Sequence, residues 1–125
     1  MKRPSRSRQA SGRAAEAFVA AALEAQGYCI RARNWRSPFG EIDLIAEGHG
    51  WLVFVEVRAR RGDRFGAPEE SVGPRKRQRL LQTALAYLAG LEGPEPAWRI
   101  DLAAVTLDAR GRPVAVAFFE NIGEA

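Results

Sequence analysis

Apolar residues first recur in a pattern at Ala14, where Ala14, Ala15, Phe18, Ala22 and Leu23 fall at helical spacing. Ser11 suits the N-cap of this helix and Gly27 its C-terminal stop, so the helix is expected to begin near Ser11. Tyr28 to Trp35 is strand-like with interleaved arginines, and Ser37-Pro38-Phe39-Gly40 reads as a turn. The strongest strand signal comes next: Glu41 to Glu47 and Trp51 to Val57 flank Gly48-His49-Gly50, which predicts a hairpin. The stretch 61–70 is charged and glycine-rich, as loops are. Pro74 sits well in the first turn of a second helix, whose stripe is Leu80, Leu81, Ala84, Leu85, Leu88 and Leu91 and which Gly90 and Gly93-Pro94 end. Trp98 to Leu107 and Val114 to Phe119 are two further strands about a turn at 108–113. The order is α-β-β-β-α-β-β. A helix between two strands is the crossover that parallel neighbours need, so an α/β domain with a mixed central sheet flanked by helices is expected.

At 125 residues and 46% hydrophobic, the chain supports one domain with a true core. No apolar run approaches the roughly 20 residues of a membrane span. The basic N-terminus is followed by no apolar h-region, so neither a leader nor a membrane partner is expected and the cytoplasm is the default location. Residues 1–11 read as a basic flexible arm and 12–122 as the domain. Cys29 is the single cysteine and His49 the single histidine, expected as a small core residue and a turn residue. A Cys/His zinc cluster is therefore excluded, and a metal site would have to be built from carboxylates, which favours Mg²⁺ or Mn²⁺. The net charge of +4 is unevenly placed. Lys2, Arg3, Arg6, Arg8 and Arg13 meet no acid within 1–13, and a second basic excess spans 58–79. Both point to an anionic partner, most simply nucleic acid, with DNA ahead of RNA.

Two acids interrupt apolar strands: Asp43 between Ile42 and Leu44, and Glu56 between Val55 and Val57. A carboxylate in a buried strand is costly unless it is paired or binds a metal. If His49-Gly50 is a two-residue turn, Gly48 pairs with Trp51, and counting back sets Asp43 opposite Glu56 with Cβ atoms about 5 Å apart. Two like charges at that distance repel, and a divalent cation between them resolves the conflict. Arg58, two residues past Glu56, shares its face. Such an arrangement suits metal-dependent phosphodiester hydrolysis, in which the acids hold the ion and a cation steadies the phosphate. Glu16, on the first helix among small apolar neighbours, would be a third acid.

Gly12-x-x-Ala15-Glu16, Gly27-Tyr28, Arg33-Asn34, Gly40-Glu-Ile-Asp-Leu-Ile45 and Val53-Phe-Val-Glu-Val-Arg58 together resemble the YraN family of small bacterial proteins. The similarity continues through Ser71-Val72, Lys76, Leu80, Ala84, Tyr87-Leu88 and Arg99-Ile-Asp101, covering about residues 12 to 122. The resemblance implies a restriction-endonuclease-like core close to Holliday junction resolvases. It implies Asp43 and Glu56 as metal-binding acids, Glu16 as the helix acid and Arg58 in the place of the superfamily's lysine. Arginine keeps the charge but is a poor general base.

The expectation is thus a Mg²⁺- or Mn²⁺-dependent nuclease acting on DNA, branched DNA included, with Asp43, Glu56 and the Val57 carbonyl on the metal and Arg58 at the phosphate. A homodimer is expected if the substrate is a four-way junction. Arg60, Arg61 and Arg64 are expected in or beside a flap, and Lys76, Arg77 and Arg79 at backbone phosphates. Each has a plainer reading: Glu56 with Arg58 as a structural ion pair, Glu16 paired with Arg13, and the second-helix cations as a solvated face. The rival functions are a non-catalytic nucleic-acid-binding module and a protein-interaction scaffold.

Overall fold

A computed structural model describes residues 6–61 and 72–123. Helix α1 (Arg6–Ala25) is followed by strands β1 (Cys29–Ser37), β2 (Gly40–Gly48) and β3 (Trp51–Arg61), helix α2 (Pro74–Ala89), and strands β4 (Trp98–Leu107) and β5 (Pro113–Phe119). The expected order of elements is observed. One difference is at the start: the helix already runs from Arg6, so Ser11 lies inside it rather than capping it. Residues 1–5 of the expected arm, the 62–71 stretch and Arg64 lie outside the described residues.

Gly27 ends α1 as expected. Its φ of 95° is left-handed, the Gly27 N–H donates to the Glu24 carbonyl and the Tyr28 N–H reaches back to that of Leu23. This is the paired-bond glycine termination that satisfies the last carbonyls of a helix. The helix C-terminus is then tied to the hairpin by His49, whose Nε2 lies 2.6 Å from the Gln26 carbonyl oxygen. His49 and Gly50 both have positive φ (53° and 83°), the geometry of a two-residue turn matched to strand twist.

The sheet order is β1-β2-β3-β4-β5, with β3 and β4 parallel and all other neighbours antiparallel. The parallel pair needs the α2 crossover, and it makes the sheet mixed as anticipated. Each face is covered by one helix. Ala15, Val19, Ala20 and Leu23 of α1 pack on Leu44, Ala46, Val53, Val55, Ala103 and Val105. Leu80, Ala84 and Leu88 of α2 pack on Ile42, Ile45, Phe54, Ile100 and Leu102. The alternation of β3 between Val53 and Phe54 sends successive side chains to opposite layers. Leu85 leaves the expected α2 stripe: it is 46% exposed, and Thr83 is buried instead, its hydroxyl donating to the Arg79 carbonyl. Cys29 is exposed at the start of edge strand β1, not in the core. Among the described residues no helix is long and apolar enough to cross a membrane.

The end of the sheet beside the His49-Gly50 turn is closed by a buried ion pair. Arg99 Nε donates to both Asp101 carboxylate oxygens at 3.1 Å, while its Nη2 reaches the Tyr28 hydroxyl and its guanidinium lies over the Trp51 ring. Burial pushes the Asp101 carboxyl up, and the Asn121 N–H and Arg99 oppose that shift. Asp101 thus braces Arg99, and it also anchors the C-terminal segment.

Gly48 is the position where this packing is tightest: a Cβ there would stand 2.8 Å from Tyr28 Cδ1 and 3.1 Å from Tyr28 Cα. At Gly50 a Cβ would meet nothing within 4 Å, although the φ is left-handed. Gly48→Ala should therefore cost about 2–3 kcal/mol through overpacking against backbone, and Gly50→Ala about 1 kcal/mol through strain alone. Denaturant unfolding of both variants checks the order, and a larger loss at Gly50 would contradict it.

Candidate functional site

The β2–β3 ladder follows the expected register, Gly48 with Trp51 up to Leu44 with Val55, and then ends. On the other side of β2, pairing with β1 steps from Arg33–Leu44 to Trp35–Ile42 across Asn34 and Asp43. Asn34 is left-handed there, with φ 51°. The irregularity changes which face β2 presents: Ile42 and Ile45 both pack in the α2 layer although three residues apart, where strict alternation would separate them. Asp43 sits at this break. Past Val55, β3 keeps β4 on one flank only, and its flank toward β2 is open.

That open flank is where the acids meet. The Val57 N–H donates to Asp43 Oδ2 at 2.8 Å, so the carboxylate takes a backbone donor that the ended ladder leaves over. Asp43 and Glu56 are in hydrogen-bonding contact, and the Asp43 carboxyl is pushed up to about 7 by burial, by that contact and by the Glu56 charge, against the pull of the Val57 N–H and Lys76. Near neutral pH the Asp43 carboxyl is therefore only partly ionised. Asp43 and Glu56 adjoin as the register argument required, but through splayed strands rather than as one more rung.

Glu56 is buried, with 5% of its side chain exposed, and its Oε2 lies 3.3 Å from both Arg58 Nη2 and Lys76 Nζ. Burying an unpaired carboxylate would cost several kcal/mol, and these two half-exposed cations offset it. The ion pair of Glu56 with Arg58 is present, and Lys76, expected at a phosphate, reaches the same oxygen from α2. Arg77 is drawn the other way: its Nε donates to the Val72 carbonyl at 3.0 Å. Arg79 and Arg61 are exposed, and Arg60 is half-buried near the end of β3.

Glu16 approaches from α1. Turned to donate, the Asn34 amide reaches both Glu16 oxygens at 3.3 Å and Glu41 Oε1 at 2.9 Å. Burial and the Asp43 charge push the Glu16 carboxyl up. Its partner is thus Asn34, where the sequence offered Arg13. Among the described residues no three His, Cys, Asp or Glu groups converge at metal-ligand spacing. The Asp43–Glu56 pair itself suits a hard cation, because the donors are oxygens and a cation would replace the proton that Asp43 holds. Asn34 was missed as a site residue. The available signal was an asparagine inside a strand, where the type is depleted and where left-handed geometry favours it.

A family model described as Uncharacterised protein family UPF0102 matches residues 15–105. A UPF0102 protein of Symbiobacterium thermophilum is 48% identical over 101 residues, 81% of this chain and 86% of that protein. One from Herpetosiphon aurantiacus is 44% identical over 110 residues, covering 85% and 88%. One from Moorella thermoacetica is 45% identical over 111 residues, covering 87% and 91%. The matched span holds Glu16, Asn34, Asp43, Glu56, Arg58 and Lys76.

The raised Asp43 carboxyl gives the site a pH signature. The folded-state pKa of Asp43, about 7, lies above its ordinary 3.8, so the native state keeps a proton that the unfolded state has lost between those values. Stability therefore falls as pH rises through that window. Asp43→Asn mimics the protonated acid. In chelator at pH 8 it should be more stable than wild type by about 4 kcal/mol, with the gain vanishing toward pH 4. Urea unfolding across pH checks this, and a pH-independent difference would contradict the raised Asp43 carboxyl.

Proposed function

The chain belongs to the UPF0102 (YraN) family, and from the geometry of its acids we propose that it is a divalent-metal-dependent nuclease hydrolysing phosphodiester bonds in DNA, branched junctions included. The observation that carries this reading is the contact of Asp43 and Glu56 on the open flank of β3, with Arg58 and Lys76 beside them. Two acids held together at the cost of a raised pKa are hard to explain by stability, and perturbed carboxylates of this kind mark functional sites. The mixed sheet with one helix on each face is compatible with the restriction-endonuclease-like core that the resemblance implies.

In this reading Asp43 and Glu56 hold Mg²⁺ or Mn²⁺. The Val57 carbonyl joins them, since the N–H and C=O of one strand residue point to the same flank and the Val57 N–H faces Asp43. A cation bound there would supply an ionised water and charge neutralisation at phosphorus. The chain's own groups do the rest. Arg58 and Lys76, each more than a third exposed, release Glu56 to face a phosphate and stabilise its growing charge. Glu16, its carboxyl already pushed up, takes or returns a proton near the scissile bond. Arg60, Arg61, Arg64 and Arg79 contribute salt-sensitive attraction to the backbone.

The test is cleavage of labelled linear duplex, single-stranded and four-way-junction DNA, and of RNA, with Mg²⁺, Mn²⁺ or EDTA. Metal-dependent cutting is expected, with Asp43→Asn and Glu56→Gln each at least about a hundredfold slower and Arg58→Ala about tenfold slower. Binding without cutting under every condition would favour the non-catalytic module instead, with Arg58 as a structural partner of Glu56. Independently, Mn²⁺ affinity by calorimetry should rise with pH up to about 7 and release about one proton per ion. Uptake that ignores pH, or survives both substitutions, would place the ion elsewhere.

A further inference from the structure

The two edges of the sheet are built differently. Edge strand β1 carries Arg31, Arg33 and Arg36, a register shift between Ile30 and Ala32, and the left-handed Asn34. Charges and irregularities of this kind stop a further strand from adding. Edge strand β5 has none of these guards. Its sequence is PVAVAFF, without charge or glycine, and its proline occupies the first position, where a missing N–H disturbs the ladder least. The single register shift against β4 is confined to that proline end. Among the described residues no strand lies beyond it. Val114 is 57% exposed, and Ala115 and Ala117 are exposed. A regular, uncharged edge is a template for strand addition.

What flanks β5 identifies the occupant. Arg112 stands four residues before Val116 and Glu120 four residues after it. We propose that β5 pairs with β5 of a second copy of this chain, antiparallel about a two-fold axis at Val116, joining the two sheets into one. That register sets Val116 against its own copy, Ala115 against the partner's Ala117, and Val114 against the partner's Phe118. Arg112 then lies opposite the partner's Glu120, and symmetry makes the contact twice. In-register parallel pairing would oppose Arg112 to its own copy, and a two-residue slip would part it from the partner's Glu120. The Glu120 side chain is 69% exposed, and its contact with Arg99 is long, at 3.6 Å. The strand centre opposes small to small, which lets the backbones close. This inference does not depend on the nuclease reading.

The test is sedimentation of the full chain over a concentration series, with hydrogen exchange on the β5 amides. Wild type is expected to dimerise, with β5 protection rising with protein concentration. Arg112→Glu and Glu120→Arg each introduce two like-charge contacts and should weaken the dimer about tenfold or more. An equimolar mixture of the two variants should recover wild-type affinity as a heterodimer, because both contacts are then opposite in sign. Both changes are on exposed side chains, and circular dichroism confirms the fold. A wild type still monomeric at about 100 µM would overturn the proposal. So would a dimer indifferent to both charge changes, or a mixture that fails to recover. Concentration-independent protection of β5 in a monomer would mean that the chain's own segment covers the edge, which also overturns it.

Discussion

Two carboxyl groups in contact within a half-buried notch cannot both ionise freely, and the surroundings of Asp43 and Glu56 are shaped by that constraint. The notch exists because the β2–β3 ladder stops at Leu44–Val55. Had it continued, the Val57 flank would have been closed by backbone hydrogen bonds and the acids would have projected from a regular surface. Stopping it leaves a donor that Asp43 accepts and a flank onto which both helices direct polar groups, Glu16 from α1 and Lys76 from α2. Cations beside Glu56 and protonation at Asp43 are two answers to the same repulsion.

Much of this was legible in the residues themselves. The turn Gly48-His49-Gly50 is a local signal, and a two-residue turn fixes register for the whole hairpin. One short motif therefore located two acids that are distant in sequence. The amphipathic helix at Pro74 and the parallel β3–β4 pairing followed from equally local patterns. What escaped were features decided by tertiary neighbours. Asn34 turns left-handed inside β1, between the paired Arg33 and Trp35, and nothing in its flanking residues announces it. Cys29 looks like a core residue by type, yet it starts an edge strand. Leu85 fits the apolar period of α2 but falls at its solvent margin, while Thr83 goes inside because its hydroxyl can return to its own helix. Lys76 was read as a phosphate contact because its partner, Glu56, lies across the crossover.

Strict architecture and local irregularity divide the molecule between them. The end near the His49-Gly50 turn is closed: Arg99 and Asp101 are buried together, Tyr28 and Trp51 cover the arginine, and the C-terminal segment is pinned by Asn121 and Ile122 through backbone donors. The opposite end is where strands part, beside the left-handed Asn34. A rigid base below and a broken ladder above is how strained polar groups persist without unravelling the sheet.

The crossover also sets an order of events. Asp43 and Glu56 both belong to the hairpin that a ribosome delivers first, whereas Lys76 and β4 emerge later. A growing chain can close the His49-Gly50 turn rapidly, which draws two acids together before the lysine that relieves them has been made. Pairing of Leu52 with Trp98 and of the nine rungs beyond it spans the longest separations in the sheet, and such contacts form slowly. The arrival of α2 therefore accomplishes two things at once: it lets the parallel strands meet, and it brings Lys76 to Glu56 as a second cation beside Arg58, which the hairpin already carries. Completion of the fold and completion of the site's charge become a single late step, so an unfinished chain holds the two acids with only one of their cations.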